Sequence, residues 1–86
     1  MILHIANEKG LHARASAKFV EVCEGFNAEA TVSKDGETAL GDSIMGLLML
    51  AASKGSKIDV ITTGPEAEAL AAALRELVDG LFGEGK

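Results

Sequence analysis

Strand-like alternation and helix-like spacing follow one another along this chain in the order β-α-β-β-α-β-α, and that order leaves few folds open. Residues 1–6 alternate, with Leu3 and Ile5 on one face and Ile2 and His4 on the other. After the turn Asn7-Glu8-Lys9-Gly10, residues 13–24 set Phe19, Val20, Val22 and Cys23 in an apolar stripe at helical spacing. Gly25 is expected in the left-handed position that ends this helix, with Phe26 packing back on the last turn. Ala28, Ala30 and Val32 then alternate with Glu29, Thr31 and Ser33 as a second strand. Lys34-Asp35-Gly36-Glu37 carries the Asp-Gly signal of a tight hairpin. It leads to a weak third strand over 38–41 whose buried face the pattern leaves undecided.

Ser43 reads as the cap of a short second helix over 44–53, with Leu47, Leu50 and Ala51 as its core residues. Residues 56–63 form a fourth strand with Ile58, Val60 and Thr62 inward. Gly64-Pro65-Glu66 opens the last helix, with Pro65 suited to its first turn and Glu66 and Glu68 complementing the dipole. Ala67, Leu70, Ala71, Leu74, Leu77, Val78 and Leu81 recur there at helical spacing. The glycine-rich stretch 80–86 reads as a fraying tail. The fold class is therefore α+β, a mostly antiparallel sheet covered on one face by helices. Inward alanines (Ala28, Ala30, Ala67, Ala71) predict close helix-to-sheet approach.

A chain of 86 residues makes one domain, burying about 60–65% of its unfolded surface. Thirteen acidic against eight basic residues give a net charge of −5, with no cationic cluster to displace the counterions of a nucleic acid. The 3% aromatic content leaves no base-stacking platform either. The longest apolar run, 44–52, is too short for a membrane span, which needs about 20 residues. The single Cys23 cannot form an internal disulfide. With no signal peptide evident before the first strand, a cytoplasmic location is expected.

The chemistry concentrates in Gly10-Leu11-His12-Ala13-Arg14-Ala15-Ser16-Ala17. One of only two histidines stands there where a loop turns into a helix. A helix start presents N–H groups without intrahelical partners and the positive end of the macrodipole, which suits a phosphate. Here those donors would be the amides of Ala13, Arg14 and Ala15. A neutral imidazole at such a place can attack a phosphoryl group and carry it, with Arg14 balancing the added charge. Phosphoryl transfer asks mainly for alignment and charge compensation, so neither a metal nor a cofactor is expected. His4 reads as a solvent-face strand residue and Cys23 as a small core residue. His4, His12 and Cys23 lack metal-ligand spacing.

Two passages carry a resemblance to a known family. Gly10-Leu11-His12-Ala13-Arg14 closely resembles the phosphohistidine site of the HPr family, the histidine-containing phosphocarriers of the phosphoenolpyruvate-dependent phosphotransferase system. Asp42-Ser43-Ile44-Met45-Gly46-Leu47-Leu48-Met49-Leu50 resembles that family's regulatory serine and the helix behind it. The motifs keep the family's order and spacing, and the likeness covers essentially the whole chain. It implies an open-faced β-sandwich of four antiparallel strands and three helices. It implies that His12 is phosphorylated on Nδ1 by phospho-enzyme I and passes the group to a histidine of a IIA-type protein, in sugar transport or a nitrogen or carbon signalling branch. It also implies Ser43 as the serine modified by HPr kinase/phosphorylase. On this reading the chain is a carrier with a transient phosphohistidine rather than a stand-alone enzyme, and a monomer is the default for such a shuttle.

One departure from the family is Ala15, where proline usually follows the arginine. Alanine drops the restraint on the backbone angle, so slower transfer is expected. The second helix has no polar face: Ile44, Met45, Leu48 and Met49 are expected to form an exposed apolar patch that docks partners, with adaptable methionines suited to several of them. The competing function is a regulatory binding domain of the same fold, docking through that helix without carrying phosphate. The imidazole at the helix start favours the carrier.

Overall fold

The computed structural model describes all 86 residues. Its elements are β1 (Ile2–His4), α1 (Ala13–Glu24), β2 (Glu29–Lys34), β3 (Glu37–Leu40), α2 (Ile44–Met49), β4 (Lys57–Thr63) and α3 (Ala67–Asp79), followed by a 3-10 turn at Leu81–Gly83. The four strands form one antiparallel sheet in the order β1-β4-β2-β3. One face carries Leu3, Ala30, Val32, Ala39, Ile58 and Val60 into the core. The other face is open, with Ile2, Leu40 and Ile61 exposed on it. The helices cover the first face with Phe19, Leu47, Leu70, Leu74 and Val78. The open-faced α+β architecture read from the pattern is the one observed.

The period-2 and period-3.6 readings place most elements correctly because each has one buried face. The hairpin between β2 and β3 turns through Asp35 (φ 50°) and Gly36 (φ 84°), both with positive φ as a type I′ turn needs. Strand β3 runs one residue earlier than the pattern suggests, and its buried residue is Ala39. The first helix spans the expected residues, but its end differs. Gly25 sits at φ −81°, not in the left-handed region, and its N–H bonds Val22 O in a tightened last turn. Pro65 lies outside α3, before the cap residue Glu66.

Two regions depart further from expectation. Helix α2 stops at Met49 rather than 53, because Ala51 turns into the left-handed region (φ 52°). That turn exposes Ala51 and buries Ala52, reversing the assignment of Ala51 to the core. A run of apolar residues looks helical in sequence, but the backbone here is claimed by a neighbouring loop: the Ala52 carbonyl accepts the Leu11 N–H at 2.8 Å. Residues 80–86 are not a frayed end either. Phe82 is fully buried in the core, which anchors the whole segment.

Candidate functional site

The loop from β1 to α1 is held from three sides before it delivers His12. Asn7, completely buried, donates from Nδ2 to the Gly10 carbonyl at 2.8 Å, closing the turn. Gly10 adopts φ +64°, and a Cβ there would lie 2.5 Å from Ala52 O. Only glycine tolerates both that backbone angle and that approach. Ser16, also buried, donates from Oγ to Leu11 O at 3.2 Å, tying the loop to the first turn of α1.

His12 is the N-cap residue of α1, with extended backbone, and its side chain makes no capping bond. Its carbonyl accepts the Ser16 N–H at 2.8 Å, so the helix begins in register just behind the ring. The amides of Ala13, Arg14 and Ala15 find no backbone acceptor, which leaves three donors at the positive end of the dipole. The ring is 25% exposed, reachable by a partner yet not free to wander. Arg14 is exposed in the first turn of α1. The helix start and the His12 ring thus share one place in the structure, with Arg14 in the helical turn that follows.

A hollow of about 400 Å³ lies alongside, lined by Glu8, Lys9, Arg14, Lys18, Glu84 and Lys86. Four of those six side chains are cationic and two are acidic, so the lining carries a net positive charge that suits an anion. A larger hollow of about 600 Å³ has Glu24, Glu29 and Asp42 in its wall and no cationic side chain, which makes it unfit for phosphate.

The feature that sequence reading does not single out is Glu84. Its Oε2 pairs with His12 Nε2, and its Oε1 accepts Asn7 Nδ2 at 2.9 Å. The Asn7 hydrogen bond above all, then His12 and the charge of Lys18, hold the Glu84 carboxyl below its ordinary value. Lys18 also donates to Phe82 O at 2.6 Å. No periodic pattern marks these residues. The one available clue was Phe82, a large apolar side chain among glycines.

The second motif is placed as expected at its start. Ser43 caps α2, its Oγ accepting the Gly46 N–H at 3.0 Å. Helix α2 packs against α1. Met45 and Met49 are 69% and 73% exposed, Ile44 is exposed and Leu48 half-buried, so the four form the apolar surface the pattern suggests. His4 is exposed on β1, and Cys23 is buried with its thiol pushed up to about 11, first by burial and then by Asp42 and Glu24.

Comparison with known proteins agrees with this architecture. Residues 2–79 match the family model described as the PTS HPr component phosphorylation site. The chain is 49% identical over 85 residues to the phosphocarrier protein HPr of Neisseria meningitidis serogroup A, covering 98% of this chain and 94% of that one. It is 40% identical over 83 residues to the phosphocarrier protein NPr of Escherichia coli K12, covering 95% and 92%. Its fold superposes on the crystal structure of an HPr from Thermoanaerobacter tengcongensis with a TM-score of 0.93 at 34% identity, covering 98% and 94%. No helix is long and apolar enough to cross a membrane. A chain matched along nearly its whole length in both sequence and fold belongs to the HPr family of phosphotransferase-system phosphocarriers.

Proposed function

We propose that this protein carries a phosphoryl group on His12, received from phospho-enzyme I and passed to a histidine of a IIA-type protein. The observation that carries the reading is His12 at the cap of α1, its ring unused by the cap and three main-chain donors unclaimed behind it. In transfer the ring nitrogen attacks phosphorus, the bond from phosphorus to the donor breaks, and its electron pair leaves with the donor. The amides of Ala13 and Arg14 and the Arg14 guanidinium meet the oxygens of the arriving group. Donors of this kind bind phosphate without a metal cage, which suits a bond that must form and break readily.

Partners dock on the apolar surface of Ile44, Met45, Leu48 and Met49 in this reading. Its exposure supports the assignment. Ser43 stands at the edge of that surface, and a phosphate there would add about −1.5 to −2 charge while its oxygens replaced the hydroxyl as acceptor for Gly46 N–H. The fold would survive such a modification and docking to an acidic partner would weaken.

The test is to mix the protein with phosphoenolpyruvate and enzyme I and look for acid-labile phosphate. His12→Ala should abolish the label with the circular dichroism unchanged. Label retained in that variant would place the chemistry elsewhere.

A further inference from the structure

The segment after α3 bends back to the site through Leu81 (φ 58°) and Phe82 (φ 54°), two consecutive non-glycine residues in the left-handed region. Such backbone is strained for a residue with a side chain, so the bend persists only where other contacts over-determine it. Here Phe82 is buried in the core, its carbonyl accepts Lys18 Nζ, and Lys86 O accepts the Glu8 N–H at 3.1 Å. Glu84 is therefore fixed on both sides, with its side chain only 14% exposed.

We propose that Glu84 is a positioning residue for His12: it accepts the Nε2–H proton and so keeps Nδ1 as the nitrogen with the free electron pair. The direction of the proton follows from Asn7. Its Nδ2 donates to both Gly10 O and Glu84 Oε1, and the Gly10 carbonyl prevents the amide from turning over. With Oε1 taken by a donor, Oε2 has only acceptor capacity to offer the ring, so the ring must donate. Nδ1 is left without a protein partner. When Nδ1 takes the phosphoryl group, the proton stays on Nε2 and the ring becomes cationic, facing a carboxylate that stabilises it. When the group departs, the ring leaves as neutral imidazole, still protonated at Nε2.

This assignment rests on His12 as the phosphoryl carrier, but its test does not require phosphorylation. Glu84→Gln is nearly isosteric and gives a sharp outcome. The new amide must turn its oxygen to the Asn7 donor, which sets its NH2 against His12 Nε2 and demands the opposite tautomer. Proton-coupled nitrogen NMR of the unphosphorylated protein, in mildly alkaline solution, reads the tautomer directly. The wild type should show Nε2–H, Glu84→Gln should show Nδ1–H, and Glu84→Ala should approach a free histidine side chain.

Transfer from phospho-enzyme I should follow the same order. Glu84→Ala should lose roughly tenfold, the scale of one charge-assisted hydrogen bond, while Glu84→Gln should lose roughly a hundredfold or more, because the nucleophilic nitrogen is capped by a proton. A purely structural role predicts the reverse ranking, since glutamine fills the space and alanine does not. Nε2–H retained in Glu84→Gln, or transfer at its wild-type rate, overturns the proposal. If the tautomer inverts as expected but the wild type takes no label on His12, the carrier reading fails and the Glu84 assignment stands.

Discussion

Gly10 and Ala52 meet so closely that the missing side chain of one defines the position of the other. A Cβ on Gly10 would sit 2.5 Å from Ala52 O and 2.8 Å from Ser53 Cα, both backbone atoms that cannot swing aside. The adjoining Leu11 N–H bonds that same carbonyl. Gly10→Ala is expected to lose about 2 kcal/mol or more in chemical denaturation, combining left-handed strain with the clash. Phosphate labelling should fall too, since the loop that delivers His12 must move. Wild-type stability in this variant would show that the loop has slack the contact distances deny.

Ala15 lies in the first turn of α1, and its N–H has no protein partner. Proline there would sacrifice no internal hydrogen bond and would restrict the unfolded chain, a gain of about 0.4–1 kcal/mol where the ring fits. Ala15→Pro should therefore label with phosphate at least as fast as the wild type, and a higher Tm should accompany it. A large loss of labelling would count against the amide of Ala15 being dispensable.

Ser43 contributes to stability independently of any modification. Ser43→Ala removes the acceptor for Gly46 N–H and should cost about 1 kcal/mol. Ser43→Asp keeps an acceptor in place, so it should stay folded while binding to an acidic partner weakens. Calorimetry of the two variants beside titration with enzyme I separates the cap from the charge.

Cys23 makes stability fall at high pH. Its thiol is raised from 9.0 to about 11 in the folded state, mainly by burial, so ionisation favours the unfolded chain. The stabilisation is complete below pH 9, where both states hold the proton, and is lost as pH rises to about 11. A loss on the order of 2 kcal/mol across that window is expected, and Cys23→Ala should flatten it. Alkylation of native Cys23 at neutral pH should be slow for the same reason.

Glu84 works in the opposite direction. Its carboxyl is lowered in the folded state, first by Asn7, so the stability it contributes is present above the ordinary value of 4.5 and is lost as pH falls through its folded value. Hydrogen exchange should show residues 83–86 loosening in acid before the sheet does. Simultaneous loss of both would mean that the segment is held by Phe82 alone.

Much of this architecture was legible because most elements bury one face against the rest. Phe19 and Cys23 on α1, Ile58 and Val60 on β4, and Leu70, Leu74 and Val78 on α3 follow helix or strand spacing closely. The Asp35-Gly36 turn was legible through its chemistry. The end of α2 was not, because an unbroken apolar run hides a break imposed by a distant hydrogen bond to Leu11. The placement of His12 and Arg14 at the start of α1 could be read from the loop-to-helix transition. The contacts of Asn7 and Glu84 could not, since they depend on two segments meeting that lie far apart in the chain. Glycines around Phe82 suggested looseness, whereas burial of the aromatic ring decides the matter.

The strand order has a consequence for synthesis. Strand β1 pairs only with β4, and the loop carrying His12 leans on the Ala52 carbonyl and on Glu84. A nascent chain therefore releases its earliest residues long before their partners exist, and the loop carrying His12 is among the last parts to acquire its shape. Ribosome-bound fragments ending before residue 57 should be unable to shield the first strand, whatever helix they have already made.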